Sequence, residues 1–146
     1  MEDEILKYIP HRPPFLLVDR ILEHRGNIIK TQKQVRPDEP WFRGHYPGNP
    51  IMPGVLICES VFQSGALLMA KLAEHNNAFS NENFPIITRI NNVKFRHAVF
   101  PGDLMEMEVV LKEQVGPASY LTGQVRVGAK TVLTLEFTAM FVKETA

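Results

Sequence analysis

The chain has 146 residues, 45% hydrophobic and 22% charged, a balance that suits one globular domain, 1–146, with a sizeable core. Its 16 basic and 16 acidic side chains cancel, which removes bulk electrostatic support for nucleic-acid binding. One cysteine excludes an internal disulfide and fits a reducing, cytoplasmic compartment; the acidic start Met1-Glu2-Asp3-Glu4 has the wrong sign for a targeting signal.

Glu2 to Ile9 reads as a short amphipathic helix with Ile5, Leu6 and Ile9 on one side, ended by Pro10, Pro13 and Pro14. Phe15 to Leu22 is apolar and strand-like. Asn27 to Val35 alternates, setting Ile29, Thr31, Lys33 and Val35 against Lys30, Gln32 and Gln34, as a half-exposed strand does. Arg36 to Gly54 holds Pro37, Pro40, Pro47, Pro50 and Pro53, with Trp41, Phe42 and Tyr46 interleaved. That composition predicts a long, ordered loop, and such loops in compact domains commonly carry function.

Val55 to Glu74 is the one long helix. Its apolar residues encircle it, so it must be covered on most sides, and Ser60, Ser64, Gly65, Ala66, Ala70 and Ala73 permit close approach of a covering sheet. Glu59, Gln63 and Lys71 interrupt the run, which is read as too short and too polar to span a bilayer. Asn76 to Asn83 is a surface loop. The rest is strands: Ile86–Phe95, Leu104–Gln114, Tyr120–Val127 and Thr131–Lys143, the last expected to be central. Short turns at Pro101-Gly102-Asp103, Gly116-Pro117 and Gly128-Ala129 imply antiparallel neighbours. The expected class is α+β, a long helix wrapped by a curved antiparallel sheet.

Chemistry concentrates between Gly44 and Gln63. His45 sits in the proline-pinned loop, with Gly44 and Gly48 permitting close backbone approach. The loop delivers a helix start at Gly54, where free N–H groups can bind a developing negative charge. Glu59 stands among Val55, Leu56, Ile57, Cys58, Val61 and Phe62, a costly place for a carboxylate unless it is paired or used. Gln63, one turn on, faces it. Two readings stay open for Glu59: a structural buried polar pair, or an acid whose pKa burial raises. His11, His24, His75 and His97 are scattered, no metal-ligand spacing occurs, and Cys58 reads as a core residue. Met52, Met69, Met105, Met107 and Met140 suit core filling or an acyl channel.

The run His11-Arg12-Pro13-Pro14-Phe15-Leu16-Leu17-Val18-Asp19-Arg20, the segment from Gly44 to Glu59 with Gln63, and Lys94-Phe95-Arg96 followed by Pro101-Gly102-Asp103 resemble the FabZ-type (3R)-hydroxyacyl-[acyl-carrier-protein] dehydratases, in order and over nearly the whole chain. The resemblance implies the hot-dog fold and dehydration of 3-hydroxyacyl thioesters to trans-2-enoyl thioesters in fatty-acid synthesis, without cofactor or metal. It puts His45 on the catalytic histidine, Glu59 on the catalytic carboxylate, Gly54 on the glycine whose N–H polarises the thioester carbonyl, and Gln63 on the supporting glutamine. Glu rather than Asp at position 59 is similar to FabZ and unlike the isomerising FabA type. The resemblance further implies a homodimer with each site shared between subunits, a trimer of dimers, and an acidic acyl carrier protein as partner; Lys94, Arg96, His97 and Arg89 read either as its basic landing patch or as an ordinary solvated face. The chain departs from the family pattern at Pro13, Trp41, Tyr46, Phe62, which replaces a small residue, and Arg89, where glycine is frequent. A dehydratase–isomerase, a hot-dog thioesterase and a non-catalytic carrier-binding subunit are the competing readings.

Overall fold

The computed structural model describes residues 2–143. Helix α1 (Glu2–Tyr8) is followed by strands β1 (Arg20–Arg25) and β2 (Ile28–Gln34), a 3₁₀ turn (Pro40–Arg43), the long helix α2 (Gly54–His75), and strands β3 (Asn83–Phe95), β4 (Leu104–Val115), β5 (Ala118–Val127) and β6 (Lys130–Lys143). The six strands form one sheet in the order β1-β2-β4-β5-β6-β3, every neighbouring pair antiparallel. It curves around α2, the arrangement expected from a helix that is apolar on all sides.

Period-two alternation sets which residues meet the helix. On β2, Ile29, Thr31 and Lys33 point inward; on β4, Met105, Met107 and Val109; on β5, Leu121 and Val125; on β6, Leu133, Leu135 and Phe137. The helix settles closest at two glycines. A Cβ on Gly123 of β5 would lie 2.3 Å from Cγ1 of Val61, and one on Gly65 of α2 would lie 2.8 Å from Cζ of Phe137. Thr31 and Ser64 close a buried hydroxyl pair across the same interface at 2.7 Å.

The inward parity of β2 carries Lys33 into the core, where it is 1% exposed. Its ammonium donates to Oε1 of Glu39 at 3.1 Å and lies 5.9 Å from the centre of the Trp41 ring. The ion pair therefore ties the start of the proline-rich loop to the sheet.

Five expectations are corrected. Residues 15–19 are not strand, and β1 begins at Arg20; the side chain of Gln63, rather than a neighbouring strand, takes the backbone groups of Phe15 and Leu17. The proline-rich loop contains the 3₁₀ turn Pro40–Arg43, built where Pro40 supplies the preset φ and Phe42 is buried. β3 and β4 are joined by a short segment yet are not neighbours: β3 pairs with β6 at the sheet edge, so residues 96–103 form a crossover. β6 is internal but sits one strand from that edge rather than at the centre. α2 is, by length and a mean hydropathy of 1.4, apolar enough to cross a bilayer, contrary to the reading from its charges; 67% of that stretch is buried here, as a core helix requires.

Candidate active site

The loop leading into α2 is fixed at several points. Phe42 is 7% exposed, the N–H of Met52 donates to the carbonyl of Val99 at 2.8 Å, and the N–H of Asn49 donates to Tyr46 at 2.9 Å. Tyr46 adopts φ 52°, a left-handed conformation that a bulky residue holds only when its surroundings over-determine it. Its ring packs edge-on against the His45 imidazole, centroids 4.6 Å apart.

His45 is half-buried, and its Nδ1 lies 2.7 Å from the carbonyl oxygen of Ile51. A carbonyl only accepts, so Nδ1 carries the hydrogen and donates it. In the neutral ring Nε2 then keeps its lone pair, the tautomer a general base requires.

α2 opens at Gly54 behind Pro53, with no side-chain cap and no acidic residue in its first turn. The N–H groups of Leu56 and Ile57 turn back to the Pro53 carbonyl, whereas those of Gly54 and Val55 have no partner among the described residues. They form a small donor cradle at the positive end of the helix dipole. The lack of a side chain at Gly54 lets the Phe95 ring lie over the helix start: a Cβ there would sit 2.7 Å from Cε1 of that exposed ring, which would have to shift.

Glu59 projects from the second turn. Its Oε2 accepts from Nε2 of Gln63 at 3.0 Å and lies 3.7 Å from Nε2 of His11. Burial pushes the Glu59 carboxyl above the usual carboxylate range, while the Gln63 bond pulls it back in part. His11 moves the opposite way: burial, aided by the Arg12 guanidinium, lowers its pKa, and its Nδ1 is buried without a hydrogen-bond partner. Both shifts favour the neutral forms, which weakens the contact as a salt bridge. His11, set aside among the scattered histidines, is the residue beside Glu59 that the sequence reading missed. The signal available was its place at the head of the His11-to-Arg20 motif.

Gln63 is fully buried and makes three hydrogen bonds. Its Oε1 accepts from the Leu17 N–H at 2.7 Å, and its Nε2 donates both to the Phe15 carbonyl at 2.8 Å and to Glu59. The residue thus fixes the carboxyl and the segment that carries His11 with one side chain.

Glu59 and His11 open on a chamber of about 100 Å³, with Phe62, Ala66, Phe137 and Ala139 among its apolar walls. His45 does not line it, so within one chain His45 and Glu59 do not share this chamber. A wider concavity, about 530 Å³, lies elsewhere, on the outer sheet face beside Lys94, Glu108, Lys112 and Glu136. Lys94 therefore sits in a field of mixed charge. Arg89 and Arg96 are exposed along the same edge strand and its end, and neither forms an ion pair among the described residues. Burial raises the Cys58 thiol, which keeps it a protonated core side chain.

Residues 9–136 match the FabA-like domain family. The 3-hydroxyacyl-[acyl-carrier-protein] dehydratase FabZ of Anaeromyxobacter sp. (strain K) is 42% identical over 137 residues, covering 93% of this chain and 86% of that protein. FabZ of Caulobacter sp. (strain K31) is 43% identical over 141 residues, covering 96% and 85%. Among solved structures, the dehydratase heterocomplex ApeI:P from Xenorhabdus doucetiae superposes with a TM-score of 0.78 over 97% of this chain and 91% of that one, at 15% identity. A hypothetical thioesterase with coenzyme A from Streptococcus pneumoniae gives 0.64 over 87% and 88%, at 12% identity. At such identities the two structures speak for the hot-dog fold alone, whereas the family match and the FabZ relatives run through His45, Gly54, Glu59 and Gln63; the chain belongs to the FabZ-type 3-hydroxyacyl-[acyl-carrier-protein] dehydratases of the FabA-like family.

Proposed function

We propose that the 146 residues act as one dehydratase domain that converts a (3R)-hydroxyacyl thioester on an acyl carrier protein to the trans-2-enoyl thioester by acid–base elimination between His45 and Glu59. The enzyme class and its place in fatty-acid synthesis follow from family membership. The observation that carries the division of roles is the opposite preparation of the two groups. The Ile51 carbonyl leaves Nε2 of His45 as an acceptor, while burial favours the protonated form of Glu59.

The thioester carbonyl accepts from the Gly54 N–H, which acidifies the C2 proton. Nε2 of His45 takes that proton, the C2–H electron pair becomes the C2–C3 double bond, and the C3–O bond breaks. Glu59 gives its proton to the departing hydroxyl, and water leaves. The cycle ends with an imidazolium and a carboxylate, reset by one proton transfer between them. Each proton-transfer partner contributes roughly 10²–10⁴-fold to the rate.

His45 and Glu59 meet across a homodimer in this reading. The separation of His45 from the Glu59 chamber supports it, as does β3, a 13-residue edge strand exposing Ile86, Ile90 and Phe95. Three such dimers would form the assembly, in the cytoplasm, and the acidic carrier would dock on Arg89, Lys94 and Arg96. The test is product identification by mass after incubation with a 3-hydroxyacyl carrier. Wild type yields the 2-enoyl carrier; His45→Ala and Glu59→Gln each lose at least about 10²-fold in turnover while the assembly stays intact. Release of free carrier thiol would replace this reading by a thioesterase, and a 3-enoyl product would add isomerisation.

A further inference from the structure

Beyond the chamber beside Glu59 lies a second, largely apolar cavity of about 300 Å³, against Ala70 and Ala73 of α2 and capped by Tyr8 and Phe79. Met69 and Pro85 line both spaces. Positions 59, 62, 66, 69, 70 and 73 follow the spacing of one helix face, so the two cavities lie in series along α2. A chain leaving Glu59 along that face meets Phe62 within the first turn.

The Phe62 ring has little freedom to yield. It meets Phe137 edge-on, centroids 5.1 Å apart at 64°. Phe137 is itself 2% exposed and wedged against Gly65, where the contact is so close that no Cβ fits. The aromatic pair thus has the helix behind it and the chamber in front.

We propose that Phe62, backed by Phe137, is a specificity-determining residue that restricts this dehydratase to short acyl chains, holding them in the chamber beside Glu59 and out of the cavity past Met69. The inference rests on the dehydratase reading, which supplies the thioester and puts its C3 at Glu59. A chamber of about 100 Å³ holds about three methylene-sized groups, at roughly the 30 Å³ that a water occupies. Chains of four to six carbons fit; twelve carbons need the second cavity. Truncating Phe62 opens space on the order of that left by other large-to-small core changes, ~150 Å³.

The experiment is a ladder of carrier-linked 3-hydroxyacyl substrates of four, six, eight and twelve carbons, with enoyl product measured by mass. Wild type loses at least about tenfold in kcat/KM between six and twelve carbons, since each methylene that finds no apolar site forfeits roughly fourfold. Phe62→Ala raises the twelve-to-four-carbon ratio at least about tenfold, and Phe62→Leu, which keeps apolar bulk and protects the fold, gives an intermediate ratio. Binding of acyl-pantetheine amides of the same lengths, followed by calorimetry, reads the limit without turnover. A wild type that dehydrates all lengths equally, or variants that leave the ratio unmoved, overturns the length limit and leaves the dehydratase reading standing. A wild type that dehydrates none yet binds short amides over long ones does the reverse.

Discussion

Replacing Gln63 by Leu separates what this side chain does for the fold from what it does for the acid. The substitution keeps volume and removes three hydrogen bonds. The Leu17 N–H is buried and left unpaired, at about 1–3 kcal/mol; the Phe15 carbonyl belongs to a half-exposed residue and can turn to water, losing about 1 kcal/mol. The sum is about 2–4 kcal/mol, and at about 2–4 °C per kcal/mol for a chain of this size Tm falls by about 5–15 °C. The second effect is on Glu59. Its Gln63 bond favours the carboxylate and burial disfavours it, so losing the bond raises the pKa further. A general acid must be protonated, so the limb of the kcat/KM pH profile that reports Glu59 moves to higher pH. Calorimetric unfolding and a pH–rate profile measure the two effects independently. Unchanged Tm with an unmoved Glu59 limb would refute the role assigned to Gln63; a drop in Tm alone would reduce it to scaffolding.

Glu59→Gln is inactive but more heat-stable than wild type at alkaline pH. The folded pKa of Glu59 is raised, so the native state holds its proton more tightly than the unfolded chain, and this contribution is present below the unfolded value and lost as pH rises through the folded one. The Tm difference between variant and wild type should therefore grow from pH 5 to pH 8, and a constant difference contradicts the shift. Gly123→Ala forces a Cβ to 2.3 Å from Val61, which is fully buried and stiff at χ1; chemical denaturation should show a loss of about 1–3 kcal/mol. Lys33→Met leaves the Glu39 carboxylate, 9% exposed, with only Arg36 at 3.6 Å. Breaking a buried pair costs about 3–5 kcal/mol, so a Tm within 2 °C of wild type would show that the pair does not anchor the loop.

The sheet was legible wherever one face is buried and the other wet: β2, β4 and β5 alternate as their sequences do. Legibility failed where a backbone is satisfied by something far away in sequence. Residues 15–18 look like a strand because they are apolar, but Gln63, 46 positions beyond Leu17, takes the Leu17 N–H and the Phe15 carbonyl. The β3–β4 crossover failed for a related reason, since a short connection does not reveal that β6 lies nearer. Lys33 is the converse case: its parity pointed inward, and only the ion pair with Glu39 makes that placement affordable. Of the site, His45, Gly54, Glu59 and Gln63 share one short segment and could be read together. His11 joins them through space, with no local spacing to announce it.

The shift at Glu59 matters because elimination needs the less common protonation pattern. A histidine and a glutamate at reference values of about 6.5 and 4.3 are seldom neutral and protonated together. Between those values the productive pair amounts to roughly one molecule in a hundred, and each unit by which the carboxyl rises increases it about tenfold. The surroundings of Glu59 act on this population. Desolvation raises the carboxyl, and its nearest titratable neighbour, His11, is itself driven neutral by burial; as a cation at 3.7 Å it would pull the carboxyl down again. Gln63 opposes the rise, but it fixes the carboxyl's direction without placing a formal charge beside it. In the proposed mechanism the apolar chamber that would take the acyl chain also favours the protonated acid, and enlarging it toward water at Phe62 would weaken that bias in exchange for acyl length.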